Sequence, residues 1–255
     1  SLAVLDEAGI GHCGGGRTAE EARRPVVIER KGVRFAFLAC TSVFWPVGHA
    51  AGHDTPGVST IKAHTAYQPN ARIAEMPGGA PTVVTWPDAG QLAAMREDVR
   101  RIRERAHIVV LSCHWGVSGS SQTCEYQRAI GRAAIDAGAD LVIGHGPHVL
   151  QGIETFEGPN GARPVFYSLA NFVFDWSAMR GKSLDGLLVR CTVHRGRPAA
   201  VAFIPVQRTA ANDPAPLDAT VGEGRRIVGE VECLSAGYGT RFRIDAGEVL
   251  VEGIG

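Results

Sequence analysis

The runs Ile108-Val109-Val110-Leu111-Ser112-Cys113-His114-Trp115-Gly116 and Leu141-Val142-Ile143-Gly144-His145-Gly146-Pro147-His148 share one plan. Each is a short apolar run that ends in histidine beside glycine. Both runs are too short for a helix and are rich in β-branched residues, so each reads as a buried strand. Between them, residues 125–137 place Tyr126, Ile130, Ala133 and Ala137 on one helical side and stop at Gly138. That spacing and that stop predict a helix. Strand, helix, strand predicts neighbouring strands with both histidine loops at their carboxyl ends. In open α/β sheets ligands bind at that edge.

Upstream, Asp88 can cap a helix whose apolar face is Leu92, Met95, Val99 and Ile102. Val26 to Arg30 and Val33 to Cys40 flank Lys31-Gly32 as a hairpin. Thr18, with Glu21 three residues on, predicts a short capped helix, and the opening helix ends at Gly9. Residues 45–87 lack periodicity apart from a short strand at 82–85. This long excursion is expected to carry His49, His53 and His64 toward the histidine edge. Downstream, residues 164–169 form a strand that Phe172-Val173-Phe174 continues after a kink. Residues 187–193 and 199–206 form a hairpin, and a helix over 222–236 leads into a short tail. The alternation predicts an α/β layered core with mixed sheets, residues 1–208 forming the main domain and 209–255 a helix and tail packed on it.

Composition narrows the function classes. Over 255 residues, 45% are hydrophobic and 20% charged, so a sizeable core can form. Lys+Arg and Asp+Glu are both 26, so no global charge pulls the chain toward nucleic acid, and no nucleic-acid partner is expected. The arginines over 100–105 read as a solvated helix face. No apolar run is long enough for a membrane-spanning helix. The six cysteines, at 13, 40, 113, 124, 191 and 233, form no C-x-x-C pair, and Cys40, Cys113 and Cys191 read as buried thiols. The chain starts inside a helix without Met, which leads us to expect a longer natural N-terminus.

His114, His145 and His148 are the candidate chemistry, because neutral imidazole is the commonest protein ligand for transition metals. A lone histidine at a strand end is usually a polar loop residue; two such loops on consecutive strands carry more weight. Gly14-Gly15-Gly16 lacks the context of a phosphate loop, and Ser118-Gly119-Ser120-Ser121 is no nucleophile elbow.

His114-Trp115-Gly116, the stretch from Asp136 to Glu154, and Phe166-Tyr167-Ser168-Leu169-Ala170-Asn171-Phe172-Val173-Phe174-Asp175 together resemble the bacterial capsule synthesis protein family CapA. The resemblance covers about residues 1–208 and links the chain to poly-γ-glutamate synthesis. It implies a four-layer α/β/β/α sandwich of the calcineurin-like metallophosphoesterase type, with the first strands missing. It further implies a divalent metal, Mn, Zn or Fe, with His114 as one ligand and His145, His148 or both as others; His114, His145 and His148 would also be the catalytic residues. Trp115 and Asn171 would contact substrate. The family's Gly-Asp and Asn-Asn-His motifs are absent here, and glycine is usual where this chain has Ala170.

Three functions follow as expectations from the resemblance. The first is a capsule-biosynthesis or export factor at the cell envelope, working with membrane-bound synthase components. The second is a soluble metal-dependent phosphoesterase acting on a phosphate ester. The third is a non-catalytic binding module on the same fold.

Overall fold

The computed structural model describes residues 2–45, 47–174, 184–209 and 211–254. The first half runs α1 (Leu2–Glu7), β1 (Gly15–Gly16), α2 (Ala19–Ala22), β2 (Val26–Arg30), β3 (Val33–Thr41), β4 (Gly57–Val58), β5 (Ala63–Gln68), β6 (Thr82–Pro87), α3 (Ala89–Arg103) and β7 (Ile108–His114). The second half runs α4 (Glu125–Ala137), β8 (Leu141–His145), β9 (Ile153–Gly158), β10 (Gly161–Phe166), β11 (Asp185–His194), β12 (Arg197–Arg208), β13 (Pro214–Pro216), α5 (Gly222–Ser235), β14 (Phe242–Asp245) and β15 (Glu248–Val251).

The central sheet has the order β2-β3-β7-β8-β10-β9. β3, β7, β8 and β10 are parallel, and β2 and β9 pair antiparallel at the two edges. The apolar runs explain this burial. Val109, Leu111 and Cys113 face one side with Val142 and Val165, where α3 and α4 cover them with Met95, Val99, Ile102, Ile130 and Ala134. Ile108 and Val110 face the other side with Leu141 and Phe166. There they meet Leu187, Val201, Phe203 and Val249 of a second sheet and Ile227, Val228 and Val231 of α5. Burying one such aliphatic side chain contributes about 1.5–3 kcal/mol. The molecule is thus an α/β sandwich, with two sheets face to face and helices packed on them.

The two covering helices start and stop as their sequences demand. Asp88 caps α3 by accepting from Gln91 N at 2.9 Å. Gln127 reaches back to accept from Cys124 N at 2.8 Å at the start of α4. Gly138 ends α4 at φ 111, which a side chain would resist.

Two expectations need correction. Residues 236–255 are not a short tail. β14 and β15 form a hairpin, and β15 pairs with β12 through Ala202↔Leu250 and Phe203↔Val249, extending the second sheet. Its alternation is visible in Val249 and Val251, which are buried, but four residues give too little period to read. Phe172-Val173-Phe174 does not continue β10. The chain turns at Ala170 (φ 59), and Phe172 and Val173 are exposed. Asp175 lies outside the described residues. β9 has no counterpart among the elements expected from sequence, and it pairs along all of β10 from Gly161↔Gly158 to Phe166↔Ile153.

The long excursion joins the site edge in part. Thr60 bridges to Thr41 at the end of β3, and Ser42 donates to Ile61 O at 2.6 Å and to His114 O at 2.8 Å. β5 and β6 form a separate hairpin held to α4 by Thr85, whose N donates to Glu125 Oε2 at 2.8 Å. His49 accepts from Trp45 N, His53 is exposed beside Asp54, and His64 stacks on Trp86. His64 also lies 3.5 Å from Asp88 at the start of α3, and none of these contacts reaches the histidine edge. No helix of the described residues is long and apolar enough to cross a membrane.

Candidate metal centre

β7 and β8 lie side by side in a register that pairs His114 with His145. Both strands are parallel and end there, so the two imidazoles rise from the same carboxyl edge. Their Nδ1 atoms are 3.0 Å apart and the rings cross at 65°, with centroids 5.0 Å apart. His145 Nε2 is 3.2 Å from Ser112 Oγ. The contacts are satisfied together when His145 Nε2–H donates to Ser112, His145 Nδ1 accepts, and His114 Nδ1–H donates. Ser112 precedes His114 by two residues on one strand, so the pleat puts both on one face. That spacing was the signal by which sequence reading could have found Ser112.

The glycines exist to admit Trp115. A Cβ on Gly144 would stand 2.2 Å from Tyr167 O and 2.4 Å from the Trp115 indole nitrogen. A Cβ on Gly146 (φ 118) would stand 2.4 Å from Trp115 O. With both absent, Trp115 inserts fully, its indole donating to Tyr167 O at 2.7 Å and its backbone N to His145 O at 2.8 Å. Trp115 is 0% exposed. The expected substrate contact is therefore corrected: the ring is a buried prop that ties the His114 and His145 loops to the residue following β10, out of reach of a ligand at the edge.

His148 is held from another side. It adopts a left-handed backbone (φ 63), and its Nδ1 lies 2.8 Å from Asn171 Oδ1. Asn171 Nδ2 in turn donates to His148 O at 3.4 Å. Phe174 meets the His148 ring edge-on at 4.9 Å. Asn171 is buried and both ends of its amide serve His148, so it orients that histidine where a substrate contact was expected. The loop carrying His148 is anchored by Gln151, which is fully buried and bonded to Gln127, Ser120 O and Gln122 O.

Electrostatics keep the pair neutral. Burial, then the nearby charges of His114 and His148, push His145 down to about 4. Burial, then His148, lowers His114. Neutral imidazoles are the metal-binding form.

The structure brings His114 and His145 into contact and leaves His148 nearby on its own support. A nitrogen separation of 3.0 Å suits two ligands sharing one ion at about 2.0–2.1 Å each. Ser112 behind His145 is the kind of outer partner that fixes a ligating tautomer. Among the described residues, no group of three or more His, Cys, Asp or Glu side chains converges closely enough to hold an ion. The fit is that of an imidazole half-site.

Residues 1–176 match the family described as bacterial capsule synthesis protein PGA_cap. The chain belongs to this family. The match takes in His114, His145, His148 and Asn171. Among similar proteins, an uncharacterized protein of Sinorhizobium fredii is 30% identical over 208 residues, which is 68% of this chain and 44% of that protein. The capsule biosynthesis protein CapA of Bacillus anthracis is 26% identical, over 88% of this chain and 47% of that protein. The PGA biosynthesis protein CapA of Bacillus subtilis is 34% identical, over 52% of this chain and 33% of that protein. The chain thus spans about half the length, or less, of the curated relatives it matches. A Haemophilus influenzae NAD nucleotidase has a solved structure that is 10% identical, with a TM-score of 0.34, covering 75% of this chain and 28% of that one. A likeness that low carries no argument.

Proposed function

We propose that this PGA_cap family chain serves poly-γ-glutamate capsule assembly or export, with capsule synthase components at the membrane as partners. Its histidine edge is the imidazole half of a divalent-metal site acting on a phosphate ester. The observation that carries the reading is the 3.0 Å approach of His114 Nδ1 to His145 Nδ1, at the edge where parallel strands present ligands.

His114 and His145 would hold the ion. Their neutrality leaves nitrogen lone pairs free for it once the shared proton is displaced. When bound, Mn²⁺, Zn²⁺ or Fe²⁺ supplies a Lewis acid and lowers the pKa of its water. His148 contributes a proton site. Asn171 Oδ1 accepts its Nδ1–H, which leaves Nε2 to give a proton to, or take one from, an oxygen at the edge. Trp115 supports the pair from below and excludes water from that side.

Imidazole-nitrogen NMR with substoichiometric Mn²⁺ tests the metal reading. The ion should broaden His114 and His145 first, and His114→Ala should abolish the broadening at His145. Broadening confined to other histidines would rule the site out. Turnover of bis-p-nitrophenyl phosphate that needs the metal and falls by about 10²-fold or more in His148→Ala tests the chemistry. Turnover unchanged by loss of His148 would remove its role.

A further inference from the structure

A groove of about 240 Å³ runs between α2 with the residues after it and the second half of α3. α3 ends where β7 begins, and His114 stands at the far end of β7. A seven-residue strand, roughly 20 Å long, therefore separates the groove from the histidines. Arg23 and Arg24 line one wall, and Asp98, Arg101, Ile102 and Arg105 the other. The last four lie at helical spacings along one side. Glu20 is the remaining acid, so four arginines face two carboxylates in a chain whose formal charge is zero.

The ion pairs there leave guanidinium groups free. Arg23 donates to both oxygens of Asp98, at 2.8 and 3.3 Å, and that pair neutralises itself on the groove wall. Arg101 pairs with Glu97 at 2.8 Å, but both side chains are exposed and such a pair exchanges easily for another carboxylate. The Arg24 and Arg105 side chains have no acidic partner among the described residues. Basic residues at a helix carboxyl end complement its backbone dipole, which accounts for Arg101 and its neighbours on α3. It does not account for Arg24, which comes from a different segment.

We propose that this groove binds a chain of carboxylates, and that the ligand is the poly-γ-glutamate of the proposed function, on which the inference rests. Each γ-linked unit carries one free carboxylate, and a guanidinium fork matches a carboxylate with two parallel hydrogen bonds. The groove is smaller than a pocket for a drug-sized ligand, so it holds a short stretch of polymer while the rest passes on. Pro25 and the aliphatic stems of the arginines give the methylene segments of that stretch an apolar contact. The site grips the polymer away from the histidine edge.

Fluorescence anisotropy of end-labelled poly-γ-glutamate, titrated with the chain in EDTA, tests this. Arg24→Gln with Arg105→Gln should weaken binding about tenfold and flatten its salt dependence. The melting temperature should stay unchanged, because neither side chain has a partner to lose. Arg195→Gln with Arg197→Gln removes the same charge from the exposed β11–β12 turn and should change affinity by less than about twofold. Failure of the wild-type chain to bind, equal losses in the two double variants, or equally tight binding of double-stranded DNA of matched charge would each overturn the proposal. EDTA and a parallel His114→Ala titration keep the result independent of the metal site, so failure there and failure here are told apart.

Discussion

His148 Nδ1 and Asn171 Oδ1 meet at 2.8 Å across two turns, each of which contains a non-glycine residue in left-handed backbone: His148 itself (φ 63) and Ala170 (φ 59). Holding an L-residue there costs about 1–2 kcal/mol. The pairing makes the two turns depend on each other. Asn171→Ala should destabilise the fold by about 1–3 kcal/mol, because a half-buried imidazole loses its partner. Ala170→Gly should stabilise it by up to about 1 kcal/mol, since glycine removes the Cβ penalty but adds freedom to the unfolded chain. Urea unfolding of both variants decides this. A neutral Asn171→Ala would mean that the hydrogen bond contributes nothing to holding the turn.

Acid should weaken the metal-free chain through His145. Its folded pKa, about 4, lies below the ordinary histidine value of 6.5, so the unfolded state binds the proton first as pH falls. His145 therefore imposes no penalty above about pH 6.5 and a growing one as pH drops toward 4. His114 shifts in the same direction. The urea midpoint in EDTA should drop between about pH 7.5 and pH 5, and should drop less in His145→Gln. Equal slopes in the two proteins would show that burial of His145 is not coupled to folding.

Much of the layout was legible because its signals are local. The Ile108–His114 and Leu141–His145 runs, the Asp88 cap and the Gly138 stop each announce themselves within a few residues, and two consecutive strand-end histidines imply a shared edge. What escaped depends on distant partners. β9 contains Glu154, whose carboxylate is buried because Arg128 and Tyr167 reach it from α4 and from beyond β10. Such a polar core position looks like a loop in sequence. Trp115 sits beside a candidate ligand and reads as a ligand contact. Only the space left by Gly144 and Gly146 shows that it turns inward.

The thiols should divide by burial. Cys40 and Cys113 face each other on paired strands at 3.6 Å, both buried, and burial followed by the neighbouring thiol pushes Cys113 far up. A thiol held protonated is a poor nucleophile. Cys233 is exposed on α5. Alkylation with iodoacetamide followed by peptide mass spectrometry should label Cys233 in the native chain and reach Cys40 and Cys113 only in denaturant. Native labelling of Cys113 at the rate of Cys233 would mean that the sheet next to His114 opens without global unfolding.

Trp115 and Gly144 should behave as one unit. Trp115→Phe leaves Tyr167 O without its indole donor in a buried position and should cost about 1–3 kcal/mol. Gly144→Ala puts a methyl group 2.4 Å from the indole nitrogen and 2.2 Å from Tyr167 O, so strand or ring must move, at about 3 kcal/mol or more. In the double variant the smaller ring removes one of the two collisions, and the indole bond that Gly144→Ala would have broken is already gone. The combined loss should therefore fall short of the sum of the single losses by about 1 kcal/mol or more. Guanidinium unfolding of the four proteins measures it. Strict additivity would mean that the two residues do not share the contact, and that Gly144 is glycine only because of the Tyr167 carbonyl.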